Sequence, residues 1–177
     1  GFLVAVIMDM FEFAYKSIYP ILIITQTIPT VAIAPLLVLW LGYGILPKIV
    51  LIVLTSFFPI TIGLLDGFKS ADKDALKLMK TMGATPFQNF VHIKLPSSIG
   101  YFFAGLRISV SYSIIGAVVA EWLGGFDGLG VYMTRVRKSY SFDKMFAVIF
   151  LISIISLFLM FVVKKIQKLS MPWEEAI

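Results

Sequence analysis

Cysteine is absent from the 177 residues, and histidine occurs once, as His92. The first absence excludes disulfides, thiolate metal sites and cysteine nucleophiles. A lone histidine without cysteine makes no zinc site, and His92, in a polar segment, reads as a solvated surface residue. Charge is scarce as well, at 14% of residues, against about 25% in an ordinary soluble domain. Nucleotide-binding patterns are missing too. No G-x-x-x-x-G-K-[ST] occurs, and Gly124, Gly125, Gly128 and Gly130 do not fit G-x-G-x-x-G. Those glycines read as backbone bends at one membrane face.

What the chain has instead is apolar residues, at 59%, with a mean hydropathy of +0.96. Bilayer, not water, is the solvent that such a surface matches. The net charge of +5 then marks loops held on one side of the membrane. It does not point to nucleic acid, because no basic stripe alternates with exposed aromatics. The chain starts at Gly1 with an apolar run, GFLVAVIM, and no basic n-region. That run reads as the tail of a helix cut upstream, not as a signal peptide.

Four full spans are expected after this stub: 21–41, 49–65, 102–123 and 145–163. The first contains Pro29 and Pro35, so it should kink or break. Such breaks survive in lipid only where neighbouring helices or a cavity satisfy the freed backbone groups. Gly42-Tyr43-Gly44 and Pro47 predict a tight turn, and Asp66-Gly67 the close of the second span. Lysines cluster in 69–94 and again in the C-terminal tail, two spans apart. Both segments are therefore assigned to the cytoplasmic side. Arg135, Arg137, Lys138 and Lys144, in the intervening loop, argue the other way. The fold class is all-α: a multi-spanning helical bundle, treated as one domain over 1–177 that is truncated at its N-terminus.

The polar segment 69–96 is the informative part. Ala75, Leu76, Met79 and Met82 recur at helical spacing with lysines opposite. Gly83 suits a left-handed C-terminal cap. Pro86 suits the first turn of a second helix, in which Phe87, Phe90 and Val91 follow, and Pro96 should end it. The pattern is a helical hairpin. Such a hairpin either lies on the lipid headgroups or seats in a groove of a partner.

Gly83, Ile93, Leu95 and Pro96 stand at the spacing G, nine residues, I, one residue, L-P. This resembles the cytoplasmic loop signature of binding-protein-dependent ABC importer permeases. The family's E-A-A triplet would fall on Lys77-Leu78-Met79, where this chain departs from the pattern. Pro29-Thr30, Ala34-Pro35-Leu36, Leu39-Trp40-Leu41-Gly42-Tyr43-Gly44, Ala120-Glu121-Trp122-Leu123 and Gly128-Leu129-Gly130 are similar to the nitrate/sulfonate/taurine branch, whose members also import pyrimidine vitamin precursors.

The resemblance implies a type I ABC importer permease in the bacterial cytoplasmic membrane, with a coupling-helix hairpin. Its implied partners are an ABC ATPase that binds the ATP, an extracytoplasmic substrate-binding protein, a second permease copy and the lipid bilayer. The substrate it implies is a small organic or inorganic anion or a vitamin precursor. The implied ATPase-docking residues are Ala75, Lys77, Leu78, Met79, Gly83, Ala84, Thr85, Pro86, Phe87, Ile93, Leu95 and Pro96.

Two polar patches within spans are candidates to line a pathway. Gln26, Thr27 and Thr30 flank Pro29, while Ser109, Tyr112 and Ser113 share a helix face; Trp40 and Glu121 complete the set. Gly105, Ser109, Ser113 and Ala117, at four-residue spacing, read alternatively as a packing stripe. Arg107 reads as a snorkelling residue near the cytoplasmic end. The complete spans offer no carboxylate or histidine cluster, so no catalytic residue, metal or cofactor is expected. An ATP-independent carrier or channel is the rival reading, although neither mid-membrane ionisable residues nor internal repeats support one.

Overall fold

The computed structural model describes residues 1–171, and its described elements are all helical. In chain order they are α1 (Phe2–Met10), α2 (Glu12–Thr27), α3 (Thr30–Leu41), α4 (Leu46–Lys69), α5 (Lys73–Thr81) and α6 (Pro86–Asn89). A π-helical turn over Phe90–Lys94 then leads into α7 (Leu95–Gly124), α8 (Leu129–Lys138) and α9 (Phe142–Ser170). Among the described residues, three helical stretches are long and apolar enough to cross a membrane: Leu46–Lys69, Pro86–Leu123 and Phe142–Ser170. A fourth candidate crossing is the pair α2 and α3, bent by 99° at their junction.

That bend is the break expected within span 21–41 from its prolines, while the start of the span differs from expectation. Residues 21–27 belong to α2, which already starts at Glu12, and 30–41 form a separate helix. The break falls at Ile28 and Pro29, where Ile28 is extended (φ −81°, ψ 121°). A residue before proline is pushed out of the helical region, and Pro29 then caps α3. Pro20 and Pro35 lie inside helices without breaking them. Glu12 and Lys16, which interrupt the apolar run in sequence, pair at 2.8 Å on the first turns of α2.

Two further boundaries differ from expectation. Asp66 and Gly67 do not end α4, which runs on to Lys69 with Gly67 buried. Nor does Pro96 end the second hairpin helix. A proline within a helix crowds the carbonyl four residues back, here that of His92. The helix widens to the π form just there, with the Leu95 amide donating to the Phe90 carbonyl. The helical path therefore passes from Pro86 through Pro96 to Leu123 without a break.

The centre of the fold is the α4–α7 seam, made of backbones in near contact. A Cβ on Gly105 would stand 2.4 Å from the Pro59 carbonyl oxygen, and one on Gly63 would stand 2.8 Å from that of Tyr101. On Gly67 it would stand 2.7 Å from Ser98. Ser109 Oγ donates to the Ser56 carbonyl at 3.0 Å across the same seam. The packing stripe anticipated in α7 thus begins at Gly105 and Ser109 but continues to buried Gly116, not to Ser113 and Ala117. Four-residue steps overshoot the helical period by about 40° each, so a strict four-residue stripe walks off the seam.

The other elements gather on this pair. Ala5 and Met8 of α1 and Leu22 of α2 pack with Leu64, Leu65 and Phe68 of α4. α3 lies over the opposite end, where Ala34 and Leu37 meet Leu51, Val119 and Ala120. α9 touches α7 through Phe103 and Val163, and the Arg107 guanidinium donates to Gln167 Oε1. Arg107 is therefore engaged by α9, near that helix's lysine-rich end. Much of α9 remains exposed, including Phe146, Phe150, Leu157, Phe158 and Phe161, as a lipid-facing helix would be.

Two polar contacts tie the first helices to the hairpin end. Lys94 Nζ bonds both carboxylate oxygens of Asp9 at 2.8 Å, with the side chains 26% and 14% exposed. Lys69 Nζ donates to the Tyr15 hydroxyl at 2.7 Å and lies 4.4 Å from that ring's centroid.

Gly105→Leu should lower the thermal midpoint of the purified protein by several degrees, because overpacking costs about 1–3 kcal/mol and the obstructing atom is backbone. Gly44→Ala, with open space around its Cβ, should leave that midpoint unchanged. Asp9→Asn should destabilise by about 1–3 kcal/mol, below the about 3–5 kcal/mol for breaking a fully buried pair. The charge-swapped Asp9→Lys/Lys94→Asp protein should recover part of that loss in the same assay.

Candidate coupling hairpin and translocation cleft

The hairpin is built from local capping chemistry. Asp72 caps α5, its carboxylate accepting the Asp74 amide at 2.8 Å. The Lys77–Asp74 pair, 3.0 Å apart, is too exposed to add much. At the far end Gly83 takes φ +82°. The Ala84 amide donates to the Met79 carbonyl at 3.0 Å and the Gly83 amide to that of Lys80 at 3.1 Å. These two bonds are the Schellman arrangement, for which a left-handed glycine is the favoured residue.

Two residues later Thr85 opens α6 with a reciprocal capping box. Thr85 Oγ1 accepts the Gln88 amide at 3.3 Å, and Gln88 Oε1 accepts the Thr85 amide at 2.8 Å. Pro86 occupies the first turn, where its missing donor is harmless. Gln88 was not among the anticipated residues, although T-x-x-Q is a readable capping signal. The bond of Lys94 to Asp9, 85 residues away, has no local signature.

The hairpin presents an apolar tip. Leu78, Met82 and Phe87 are 62%, 74% and 66% exposed. Of the anticipated docking residues, Lys77, Gly83, Thr85 and Pro86 are exposed beside them, and Ala75, Met79 and Ala84 are half-buried. Ile93 and Leu95 are half-buried along the π turn and its exit, whereas Pro96 is exposed. Phe90 stacks edge-on against Phe68 at 5.2 Å, anchoring α6 to the end of α4. His92 is exposed, as expected.

A cleft of about 450 Å³ opens at the α2–α3 break, walled by α4 and α7. Among the anticipated pathway residues, Gln26, Thr30 and Tyr112 line it together. Phe57, Phe58 and Ile115 supply much of its apolar wall. The Thr25 hydroxyl donates to the Leu22 carbonyl at 2.8 Å, and that of Thr55 to the Ile52 carbonyl at 3.0 Å. Both hydroxyls are therefore already engaged with the backbone of their own helices.

The remaining pathway candidates lie elsewhere. Ser109 is taken up by the α4–α7 seam, and the Ser113 hydroxyl donates to the Val110 carbonyl at 2.8 Å. Thr27 donates to the Ile24 carbonyl at 2.7 Å on an exposed surface. Trp40 is 76% exposed near the end of α3. Glu121 organises the turn into α8: its Oε2 accepts the Gly130 amide at 2.7 Å. A Cβ on Gly128 would collide with that carboxylate at 2.3 Å. The glycines after α7 thus wrap a carboxylate, and a 10-residue helix, α8, occupies what the sequence suggested was loop.

Comparison with known proteins bears on this geometry. The family described as binding-protein-dependent transport system inner membrane component matches residues 1–172. The chain is 39% identical to the formylaminopyrimidine transport permease protein ThiX of Halalkalibacterium halodurans, over 99% of this chain and 70% of that protein. It is 41% identical to a probable ABC transporter permease protein of Haemophilus influenzae, over 91% of this chain and 66% of the relative. It is 30% identical to the taurine transport system permease protein TauC of Escherichia coli, over 87% of this chain and 56% of the relative. The all-helical architecture, the apolar spans and these likenesses agree, and the chain belongs to the inner-membrane permease family of binding-protein-dependent transport systems.

Proposed function

We propose that this permease works in a bacterial plasma membrane as one of two identical copies, crossing it several times, with the α2–α3 cleft forming part of the substrate path. The hairpin 72–94 faces the cytoplasm and docks a separate ATPase, and a binding protein delivers solute from the other side. The observation that carries this reading is continuity. The exposed tip at Leu78, Met82 and Phe87 sits beside a helix that runs unbroken to Leu123. That same helix supplies Tyr112, Ile115 and Gly116 to the cleft.

The mechanics follow from those parts. Gly83 and Thr85 hold the two short helices at a set angle, so a push on the tip is not dissipated in the turn. Phe90 against Phe68 and Lys94 against Asp9 pass displacement to α4 and α1. The α4–α7 seam is too close for the two helices to slide, so they move as one wall of the cleft. Rocking of that wall against the corresponding wall of a second copy would give alternating access. The substrate is a small solute of the kind the relatives' names describe, either a vitamin-precursor ring or a small sulfonate.

The test is co-purification of the full-length permease in mild detergent with its ATPase. Phe87→Asp should weaken recovery of the ATPase by about 30-fold in affinity, since losing a central anchor costs about 2 kcal/mol or more. Gly83→Asp should do the same, because a side chain at φ +82° disturbs the cap and the angle of the tip. Wild-type permease that retains no ATPase in any of several mild detergents would remove the support for this reading.

A further inference from the structure

Resting on the reading of the cleft as the substrate path, we infer that its ligand is an uncharged, flat ring with a polar edge, not an anion or a cation. None of the fifteen described residues lining the cleft carries a charge. A solute charge buried there would meet no counter-ion, and unpaired charge in a low-dielectric site is strongly disfavoured. Arg107, the cation within the α7 span, is turned to α9 and bonds Gln167. Glu121 is held by the Gly130 amide at the α8 elbow.

The lining favours a ring. Phe57, Phe58 and Tyr112 give aromatic faces and edges, on which a planar solute stacks in an offset or edge-on manner. The polar lining residues are few: Gln26, Thr30 and Tyr112, besides Thr25 and Thr55, whose hydroxyls donate to backbone carbonyls. Gln offers both donor and acceptor, and tyrosine and threonine hydroxyls can act as either. That set matches the alternating donor and acceptor atoms along the edge of an amino-substituted nitrogen heterocycle.

The backbone at the break has the same balance. α2 ends at Thr27 and α3 begins at Thr30, and Gln26, Ile28 and Thr30 around the break line the cleft. A helix C-terminus presents carbonyls with partial negative charge, and a helix N-terminus presents amides with partial positive charge. Opposite partial charges side by side favour a neutral edge with a donor next to an acceptor. An ion of either sign would be attracted by one helix end and repelled by the other.

The test uses the full-length permease with its ATPase in liposomes, carrying Ile115→Cys at an exposed position in the cleft wall. Residues 1–177 contain no cysteine, and the parent protein gives the background. The rate of modification by a neutral maleimide is followed with 4-aminopyrimidine, ethanesulfonate or tetramethylammonium as probe. The pyrimidine should slow labelling about threefold at about twice its dissociation constant, and the two ions should not. Equal protection by an ion, or protection by no probe, overturns the inference. The rate is also compared between nucleotide-free and vanadate-trapped complexes. If it does not change, the cleft takes no part in alternating access and the underlying reading fails with the inference. If it changes but the pyrimidine gives no protection, only the ligand class fails.

Discussion

Backbone contact between α4 and α7 is the constraint on which the remaining structure depends. Gly63, Gly67 and Gly105 leave no room for a Cβ, and Ser56 and Ser109 bond across the same line. In lipid the hydrophobic effect does not drive helices together, so close packing and interhelical hydrogen bonds must do it. The seam uses both. Each outer element is placed by its contact with this pair: α1 and α2 on one end, α3 over the other, and α9 along the side.

A rigid seam gives the break between α2 and α3 its meaning. Helix ends in a membrane need either partners or a cavity. Here the Thr27 hydroxyl satisfies one carbonyl in the last turn of α2, that of Ile24, and the open space at the bend is the cleft. The same α7 that seals the seam through Gly105 lines the cleft through Tyr112 and reaches back through Pro96 to the hairpin. One helix therefore carries the seam and, on the proposed reading, the function as well. Its π turn lets a proline sit in that helix without cutting the link.

The parts legible in the sequence are those whose causes are local. Gly83 and Pro86 announced a cap and a helix start, since both depend on the backbone preferences of single residues. Gln88 could have been read from its spacing to Thr85. The position of the bend was not legible, because Pro20, Pro29 and Pro35 all fall in the region and tertiary packing decides which one breaks the helix. Pro96 misled for a related reason: its clash is relieved by a π turn that depends on five residues together. The Asp9–Lys94 bond joins residues 85 positions apart, and nothing in either neighbourhood points to the other. Of the candidate pathway residues, Gln26, Thr30 and Tyr112 come together, whereas Ser109 was claimed by packing because small polar residues serve both purposes in lipid.

The central claim is that hairpin and cleft wall move as one body. It is tested most directly by spin-label distances in the full-length complex, with labels at Gln88 and Ile115. The two lie about 40 Å apart along a continuous helix at about 1.5 Å per residue. On vanadate trapping, the Gln88–Ile115 distance within one copy should stay constant while the Gln88–Gln88 distance between copies shortens. A change in the distance within one copy would place a hinge at the π turn and contradict the account.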